Sequence, residues 1–496
     1  MQAASRTAVG VASACVAALL VALPPKHADA DAARREPAEP QGSPAQLEAL
    51  HAWLRARGAR VDGVRVAPRD DRGLALVATA APSSLPSWLR PSAWLRTPGC
   101  ELASFPLHSA LTLATCVSDH RLGASLAGWL AQDELSEREA MQLYLLVQRA
   151  LGKESNYQPY VSLLATPTTP LHWQAAELEE LRGTALWEAV RAQQKQCAAT
   201  WKRVAPLARG LLLQCGAKDS AARVAESDWR WAVSVFWSRS LLFPDPMRPS
   251  EALAEGIVPG LDFCNHGGAR ANATWAVEVQ PRSRGAVVDA QEAPRHEFVI
   301  RDTPWRSRGV GAGTEVVINY GDGRSSEEML FCYGFCSEPQ NAADALLVTP
   351  LLSDPDDETT HTRHLLLMHR GMEPRAFLPA AGLRSTRNAH AAVEEALRML
   401  AIWALSPAEV SAALGMDAAG LDDLLVRHRA GALLLLQRTL EQRHAALLAT
   451  GTPESDDKLL ASGGGSQRLR SAVAYRRTQK RLAARYLAIA RQMVLQ

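Results

Sequence analysis

Two passages, "VPGLDFCNHGG" (residues 258–268) and "TEVVINYGDGRSSEEMLFCYGF" (residues 314–335), decide the fold of this chain. Each passage ends a β-like apolar run with a turn, which is Asn265-His266 in the first and Tyr320-Gly321 in the second. Turns that end strands commonly carry functional side chains on a rigid scaffold. We therefore predict that the two turns converge in space and form opposite walls of one cavity.

The composition indicates a multidomain globular protein. The chain has 496 residues, of which 47% are hydrophobic and 21% are charged, so it can bury a large core in more than one domain. A net charge of only +2 gives no whole-molecule argument for a nucleic-acid or acidic partner, and no nucleic-acid partner is expected. The 8 cysteines lack paired CxxC spacing, which favours reduced thiols with packing roles.

The N-terminal segment differs from the rest of the chain. Residues 9–23 are apolar and rich in alanine, but this run is too short to span a membrane comfortably. The small-x-small sequence Ala28-Asp29-Ala30 then resembles a cleavage site. We predict a removable targeting peptide over residues 1–30, with no stable membrane insertion. A plastid destination is favoured, and the secretory pathway is the alternative.

The pattern along the chain predicts an α+β fold. Residues 31–45 combine alanine, proline and charge, as is typical of a linker. Folded sequence then begins with a short helix, two β-like runs within residues 64–80, and long helical stretches over about 107–242 that include residues 176–190. Strand character returns over residues 256–320. The predicted organisation is a β-rich domain over 46–340, interrupted by the helical insertion, and an all-α domain over 341–496.

The last predicted helix, over residues 467–495, carries many basic side chains and no acidic residue. Such a stripe is typical of a solvated face, or of a surface that contacts nucleic acid or an acidic protein. Both interpretations stay open from the sequence. The basic residues are Arg468, Arg470, Arg476, Arg477, Lys480, Arg481, Arg485 and Arg491.

Asp262, Asn265 and His266 form an Asp-x-x-Asn-His motif, and Tyr320 follows the run "EVVIN". With these motifs the chain resembles the SET-domain protein methyltransferases, and more narrowly the Rubisco large-subunit lysine methyltransferases and their actin-histidine relatives. The resemblance extends from Leu47 nearly to the C-terminus. It implies a SET domain with an inserted helical region, a helical substrate-binding domain, and a protein substrate. It also implies S-adenosyl-L-methionine as the cofactor.

The resemblance assigns roles to individual residues. Tyr320 occupies the position of the catalytic tyrosine, whose hydroxyl sits beside the sulfonium and the incoming nitrogen. The remaining positions are the donor-binding Arg72, Gly73, Leu74, Asn265 and His266, and the substrate-binding Arg239, Asp262, Tyr333 and Phe335. Tyr333 and Phe335 correspond to an aromatic channel wall, where ring faces favour a cationic or methylated nitrogen.

The acceptor of the methyl group stays open from the sequence. A lysine of a folded protein partner is the preferred acceptor, and a histidine is the alternative. A hypothesis of another class is a non-catalytic binding module, which is favoured by Ala75, Gly267 and Ser326, where the family usually has other residues. No zinc site is expected, because only Cys336 follows the last motif.

Overall fold

The computed structural model describes residues 42–69, 73–79, 99–245, 253–279, 295–303, 310–336, 341–350 and 357–495. The targeting peptide predicted over residues 1–30, and Arg72, lie outside these residues. The described residues fall into two compact units. The first unit contains the described residues up to 167 and those from 195 to 322, and the second contains 168–194 and those from 323 onward.

Among the described residues, the first unit starts with a capped helix and contains ten short strands. Ser43 accepts a hydrogen bond from the backbone N–H of Gln46, and Pro44 occupies the first helical turn, as a helix start favours. The last two residues of the predicted linker are therefore helical. The strands are β1 Val64–Arg69, β2 Gly73–Ala78, β3 Glu101–Pro106, β4 Leu111–Thr112, β5 Ser240–Phe243, β6 Ala254–Ile257, β7 Asn265–His266, β8 Ala273–Val279, β9 His296–Asp302 and β10 Val317–Ile318.

These strands form small sheets. The hairpin of β1 and β2 is antiparallel, with Val64 opposite Ala78. Two three-stranded antiparallel sheets have the orders β3-β9-β8 and β4-β6-β5, and β7 pairs with β10 in parallel. The alternating "VRV" and the apolar "LALVA" runs were predicted correctly as two strands, because alternating burial along β1 matches a sheet with one face on the core.

Helices account for most of residues 113–239. The N-terminal helix is α1 Pro44–Ala56, and the helices of this region are α2 Leu113–Val117, α3 Gly123–Ala131, α4 Glu137–Leu151, α5 Gln158–Val161, α6 Ala175–Glu179, α7 Ala185–Gln214, α8 Lys218–Arg223 and α9 Glu226–Arg239. The helical stretch predicted over 176–190 is interrupted between α6 and α7. Gly183 adopts φ +81° there, and a Cβ would lie 2.7 Å from the backbone carbon of Ala446, so a turn residue without a side chain is required.

The second unit is mainly helical. Its core is built from apolar side chains such as Leu400, Leu436 and Tyr486, all of them buried. The remaining elements are α10 Ser326–Tyr333, β11 Ala345–Val348, α11 Glu358–His369, β12 Ala376–Pro379, α12 Thr386–Ala404, α13 Pro407–Ala413, α14 Ala418–Arg427, α15 Arg429–Leu448, α16 Pro453–Ala461 and α17 Gln467–Val494.

One expectation about this unit needs correction. The region was predicted to be all-α, yet β11 and β12 form an antiparallel hairpin, with Leu346 opposite Leu378. Runs of four apolar residues are too short for their periodicity to separate a strand from a helix. The compact second unit contains residues 168–194 and the described residues from 323 onward, and the domain boundary near residue 341 stays a prediction.

The basic side chains of α17 have partners within their own unit, and Arg481, Arg485 and Arg491 are also exposed, as a solvated face predicts. Arg468 pairs with Glu177, and Arg491 with Glu441. Asp456 accepts hydrogen bonds from Arg476 and Lys480, and Asp457 accepts them from Arg477 and Arg481. Arg470 and Arg485 donate to the backbone carbonyls of Gly465 and Leu383. Acidic residues from other elements of the unit therefore neutralise most of the basic side chains of this helix.

Candidate active site

The Asn-His turn is shaped by a short 3-10 turn, Leu261–Phe263, which precedes it. Gly260 leads into this turn with φ +100°, a left-handed conformation that glycine adopts without steric cost. A Cβ at that position would lie 2.4 Å from Cε1 of Phe105, so the close approach also requires glycine. The chain leaves the turn in an extended conformation, which places Asn265 and His266 in β7.

The second passage lies directly beside this strand. Val317 and Ile318 of β10 pair in parallel with Asn265 and His266. The N–H of Gly267 donates to the carbonyl of Ile318 at 2.8 Å, which continues the ladder into the turn. The predicted convergence of the two turns is thus confirmed, and it depends on main-chain pairing rather than on side-chain contacts alone.

Tyr320 is held at both ends against the Asn-His turn. Its backbone N–H donates to Nδ1 of His266 at 3.2 Å, and its hydroxyl donates to the carbonyl of Cys264 at 2.9 Å. The rings of Tyr320 and His266 lie 5.2 Å apart between their centroids. Because Nδ1 of His266 accepts a hydrogen bond, the proton of the neutral imidazole resides on Nε2. The position of the Tyr320 ring is therefore fixed by the loop that it faces.

Asn265 contacts an acidic residue of the second passage. Its Nδ2 donates to Oε1 of Glu315 at 2.8 Å. Asn272 secures the backbone around Glu315, since its Nδ2 donates to the Glu315 carbonyl at 2.8 Å and its Oδ1 accepts the N–H of Val317 at 2.9 Å. The side-chain amide of Asn272 thus makes the two backbone hydrogen bonds that a neighbouring strand would otherwise make at this point.

Arg239 forms a buried ion pair with Asp262, which lies in the 3-10 turn just before Asn265. Nη1 of Arg239 donates to Oδ2 of Asp262 at 2.8 Å and to its backbone carbonyl at 3.1 Å. The Asp262 side chain has 0% exposure, and that of Arg239 has 21%. Tyr160, from the helical insertion, donates its hydroxyl to the same Oδ2 at 2.6 Å, and Gly260 donates its N–H to Oδ1 at 3.0 Å. The carboxylate that Arg239 contacts belongs to its own chain.

This network has electrostatic consequences. Burial alone lowers the pKa of Arg239, but the charge of Asp262, together with Tyr160 and Tyr320, raises the pKa overall. Burial raises the pKa of the Cys264 thiol, and the charges of Asp262 and Glu315 add to this effect. Cys264 is therefore an inert thiol whose backbone carbonyl, rather than its sulfur, serves the site.

The β2 strand borders the segment that leads to Tyr320. The carbonyl of Leu76 accepts the N–H of Val316 at 2.8 Å. At the start of this strand, Gly73 has φ +73°, and a Cβ there would point into open space. Leu74 is half-buried. The backbone at Gly73 is consequently accessible to a ligand, although a donor contact by Gly73 or Leu74 stays a prediction.

Tyr333 and Phe335 lie together in the second unit. Their rings are 6.3 Å apart, and Gly334 between them ends α10 in a left-handed conformation. Burial raises the pKa of Tyr333 to about 12, with Arg324 acting against this rise. The two aromatic side chains form one pair, but their role as a channel wall stays a prediction.

Several residues of the site were not found from the sequence. Glu315 was detectable as an acid at the start of an otherwise apolar run, the pattern of a carboxylate with a specific partner. Tyr160 and Asn272 gave no local signal, because each acts on a residue that is remote in sequence or on the backbone. Cys264 contributes a carbonyl, which any residue type would supply.

Two absences hold for the residues that the structure describes. Within them, no group of three or more His, Cys, Asp or Glu side chains is arranged to hold a metal ion. No described helix combines the length and the apolar character that a membrane span requires.

Comparison with known sequences shows a partial relationship. No protein-family model matches the chain. The chain is 26% identical over 223 residues to SET domain-containing protein 8 of Schizosaccharomyces pombe, and the match covers 44% of this chain and 43% of that protein. The aligned region thus spans less than half the length of this curated relative.

Comparison with solved structures covers nearly the whole fold. A crystal structure of the SET domain of LSMT bound to lysine and AdoHcy matches with a TM-score of 0.65 and 18% identity, covering 91% of this chain and 92% of that chain. Rubisco LSMT bound to sinefungin and monomethyllysine matches with a TM-score of 0.62, and Rubisco LSMT bound to AdoMet with 0.61, at the same identity and coverage. The predicted resemblance is confirmed at the level of the fold: the chain is an α+β protein with the SET fold of the Rubisco LSMT type.

Proposed function

We propose that this chain is an S-adenosyl-L-methionine-dependent protein N-methyltransferase that acts on a lysine side chain of a folded protein. The observation that carries this proposal is the anchoring of Tyr320 on the Asn-His turn through both its backbone N–H and its hydroxyl. The Asn-His motif and the tyrosine motif are far apart in the sequence, but the pairing of β7 with β10 brings them together. A site that holds two reactants requires such a meeting of residues. The fold neighbours, which were solved with AdoMet, AdoHcy or lysine, support this proposal.

The site suits the chemistry of the donor. When bound, the donor supplies an electrophilic methyl group on a sulfonium sulfur. Asn265 offers an amide, Gly73 offers open backbone, and Arg239 is already neutralised by Asp262, so it adds no net repulsion toward a sulfonium cation. A positively charged donor with hydrogen-bonding ends therefore fits the groups that are present.

Methyl transfer is an in-line displacement. The nitrogen lone pair forms a bond to the methyl carbon while the carbon–sulfur bond breaks and its electron pair returns to sulfur. A lysine nitrogen must first lose a proton. Holding the reactants on one axis supplies roughly 7–11 kcal/mol of the barrier. The role of Tyr320 is to present a hydroxyl in a fixed place beside this axis, since Cys264 and His266 leave its ring little freedom.

The pH dependence of the rate distinguishes a lysine from a histidine acceptor. A lysine with the ordinary pKa of about 10.4 is neutral in fewer than about one molecule in a thousand at pH 7, so the rate should keep rising above that pH. A histidine, with an ordinary pKa of about 6.5, is mostly neutral by pH 7, so its rate should level off. The fold neighbours bound to lysine and monomethyllysine favour the lysine acceptor.

The non-catalytic alternative loses support from the packing of the three unusual residues. Ala75 is fully buried in β2, and Ser326 donates its backbone N–H and hydroxyl to the carboxylate of Asp344 at 2.6 and 3.0 Å. A Cβ at Gly267 would lie 2.8 Å from Cγ2 of Val317, so glycine fits where the family often has serine. Each departure has a local structural reason and is no sign of a decayed site.

The decisive experiment combines donor binding with a search for the acceptor. Calorimetry with S-adenosylmethionine should show binding, and incubation of a proteome with enzyme and isotopically labelled donor should place the label on lysine in mass spectra. Label on histidine would replace the lysine acceptor by the alternative. Absence of donor binding would refute the enzyme and leave the binding module.

A further inference from the structure

The orientation of the Asn265 side chain is set by its partner. A carboxylate accepts hydrogen bonds and donates none when ionised, so Glu315 must face the NH2 end of the Asn265 amide. The carbonyl oxygen of Asn265 consequently points away from Glu315. In the described part of the chain this oxygen accepts no hydrogen bond, although the residue is half-buried.

The carboxylate itself is carried by a rigid backbone. On one side, Glu315 forms an antiparallel bridge with Val77, and Val316 donates its N–H to the carbonyl of Leu76. On the other side, the Asn272 amide bridges the Glu315 carbonyl and the Val317 N–H. With its main chain held on both sides, Glu315 can fix Asn265 before any ligand binds, which lowers the ordering cost of binding.

We propose that Glu315 is a positioning residue for the methyl donor, and that it turns the carbonyl oxygen of Asn265 toward the ammonium group at the donor's amino-acid end. This inference rests on the proposed function. The ammonium is a donor of hydrogen bonds without acceptor capacity, so it is recognised by the carbonyl end of an amide and repelled by the NH2 end. A flipped Asn265 would present the wrong group.

The test compares the binding of two ligands, one that carries the amino-acid end of the donor and one that lacks it. S-adenosylhomocysteine carries the amino-acid end, whereas 5′-methylthioadenosine shares the adenosine part but lacks that end. Calorimetry should show that Glu315→Ala weakens binding of S-adenosylhomocysteine by about tenfold, the loss expected for one oriented hydrogen bond. Binding of 5′-methylthioadenosine should change by less than about twofold. Glu101→Ala, which removes a carboxylate that contacts Arg60 and Arg301, is the matched control and should bind both ligands as wild type does.

A paired substitution tests the positioning without opening a cavity. Asn265→Asp sets two carboxylates against each other and should weaken S-adenosylhomocysteine binding by about tenfold. Adding Glu315→Gln should restore affinity to within about threefold of wild type. The NH2 group of the introduced glutamine then donates to one oxygen of the introduced carboxylate, whose other oxygen faces the donor. Circular dichroism melting curves establish that each variant is folded.

The outcomes are distinct. If the wild-type protein binds S-adenosylhomocysteine and the paired substitution restores nothing, or if Glu315→Ala weakens both ligands equally, the positioning role is refuted and the enzyme proposal stands. If Glu315→Gln alone is as damaging as Glu315→Ala, the charge acts directly on the ligand and the positioning role is again refuted. If the wild-type protein binds neither ligand, the proposed function fails together with this inference.

Discussion

The Asn-His and tyrosine turns of the first unit and the basic helix α17 of the second unit were both singled out by their side chains, yet they differ in what holds those side chains. In the turns, Tyr320 is anchored on a backbone carbonyl and a ring nitrogen, both of which are uncharged acceptors. On α17, acidic partners neutralise the charge of Arg476 and Lys480. A polar group positioned by neutral partners is suited to catalysis, whereas a charge that is paired within its unit is suited to stability.

The largest effect is expected from breaking the pairing on α17. Asp456 is 1% exposed and accepts hydrogen bonds from Lys480, at 2.6 Å, and from Arg476, at 2.8 Å. Asp456→Ala leaves two cations buried without this partner, so the free energy of unfolding should fall by about 3–5 kcal/mol. Urea denaturation followed by circular dichroism measures this loss.

Asp457 provides the matched control, because it is the next residue and also pairs with two arginines of α17. Its side chain is 42% exposed, so water screens the pairs with Arg477 and Arg481. Asp457→Ala should therefore lower the free energy of unfolding by less than about 1 kcal/mol. Equal losses for the two variants would show that burial does not set the strength of these ion pairs.

The next effect concerns Glu327, which accepts a hydrogen bond from the Tyr475 hydroxyl of α17. Burial raises the pKa of Glu327 from 4.5 to about 7; the Tyr475 hydrogen bond and Arg443 act against this rise, and Glu328 and Asp344 add to it. Between these two pH values the folded state keeps a proton that the unfolded state has released. The free energy of unfolding should therefore fall as the pH rises through this window, by an amount on the order of 3 kcal/mol, and then stay level.

Glu327→Gln isolates this contribution, because the amide keeps a similar shape and cannot ionise. Relative to wild type, the variant should gain stability steadily from about pH 4.5 to about pH 7 and no further above that. Denaturation of both proteins across this range measures the difference. Parallel stability curves for the two proteins would contradict a protonated Glu327 in the folded state at acidic pH.

Tyr320→Phe tests the turns of the first unit, where a polar group is held by uncharged partners. Loss of the hydroxyl should lower turnover by about a hundredfold, because alignment at the reacting centre is sensitive to small displacements. Donor affinity should stay near its wild-type value, since the Asn-His turn keeps its strand pairing with β10. Turnover with labelled donor and calorimetry measure the two quantities separately.

The control for Tyr320 is Tyr144→Phe. Tyr144 is a buried tyrosine of the same unit, and its hydroxyl donates to Asp119 at 2.9 Å. This variant should lose some stability and keep its turnover. Unchanged turnover in Tyr320→Phe would remove Tyr320 from the mechanism, whatever the behaviour of Tyr144.

Local patterns explain what the sequence predicted well. Apolar runs that end in Asn-His or Tyr-Gly turns carry their signal within a few residues, so β7, β10 and the meeting of their turns were predictable. The hairpin of β1 and β2 was equally visible, since its alternation is local. Strands of four apolar residues, such as β11, carry too little periodicity to be separated from helix.

Partners that are remote in sequence explain what was missed. The acidic partners of the basic residues of α17 lie from 20 to 296 residues earlier in the chain, beyond the reach of a local pattern. Similarly, Arg239 and Tyr160, the partners of Asp262, come from other elements, and a substrate contact of Asp262 stays a prediction. Charge pairing depends on the fold, and no local pattern in one sequence records it.

The smallest effect is expected at Tyr160. This residue acts on the site only indirectly, through the carboxylate of Asp262. Its hydroxyl donates to Asp262, which keeps Arg239 and Gly260 as partners when the hydroxyl is lost. Tyr160→Phe should lower the free energy of unfolding by about 1.5 kcal/mol and lower turnover by less than about tenfold.

The comparison with Tyr486→Phe decides whether Tyr160 matters for the site or only for folding. Tyr486 is a buried tyrosine of the second unit that donates to the backbone carbonyl of Pro379 at 2.7 Å, a neutral acceptor. Its substitution should cost about 1 kcal/mol of stability and leave turnover unchanged. If both variants lose stability alike and neither loses turnover, Asp262 does not transmit the position of Tyr160 to the Cys264 carbonyl, and the helical insertion supports the fold without shaping the site.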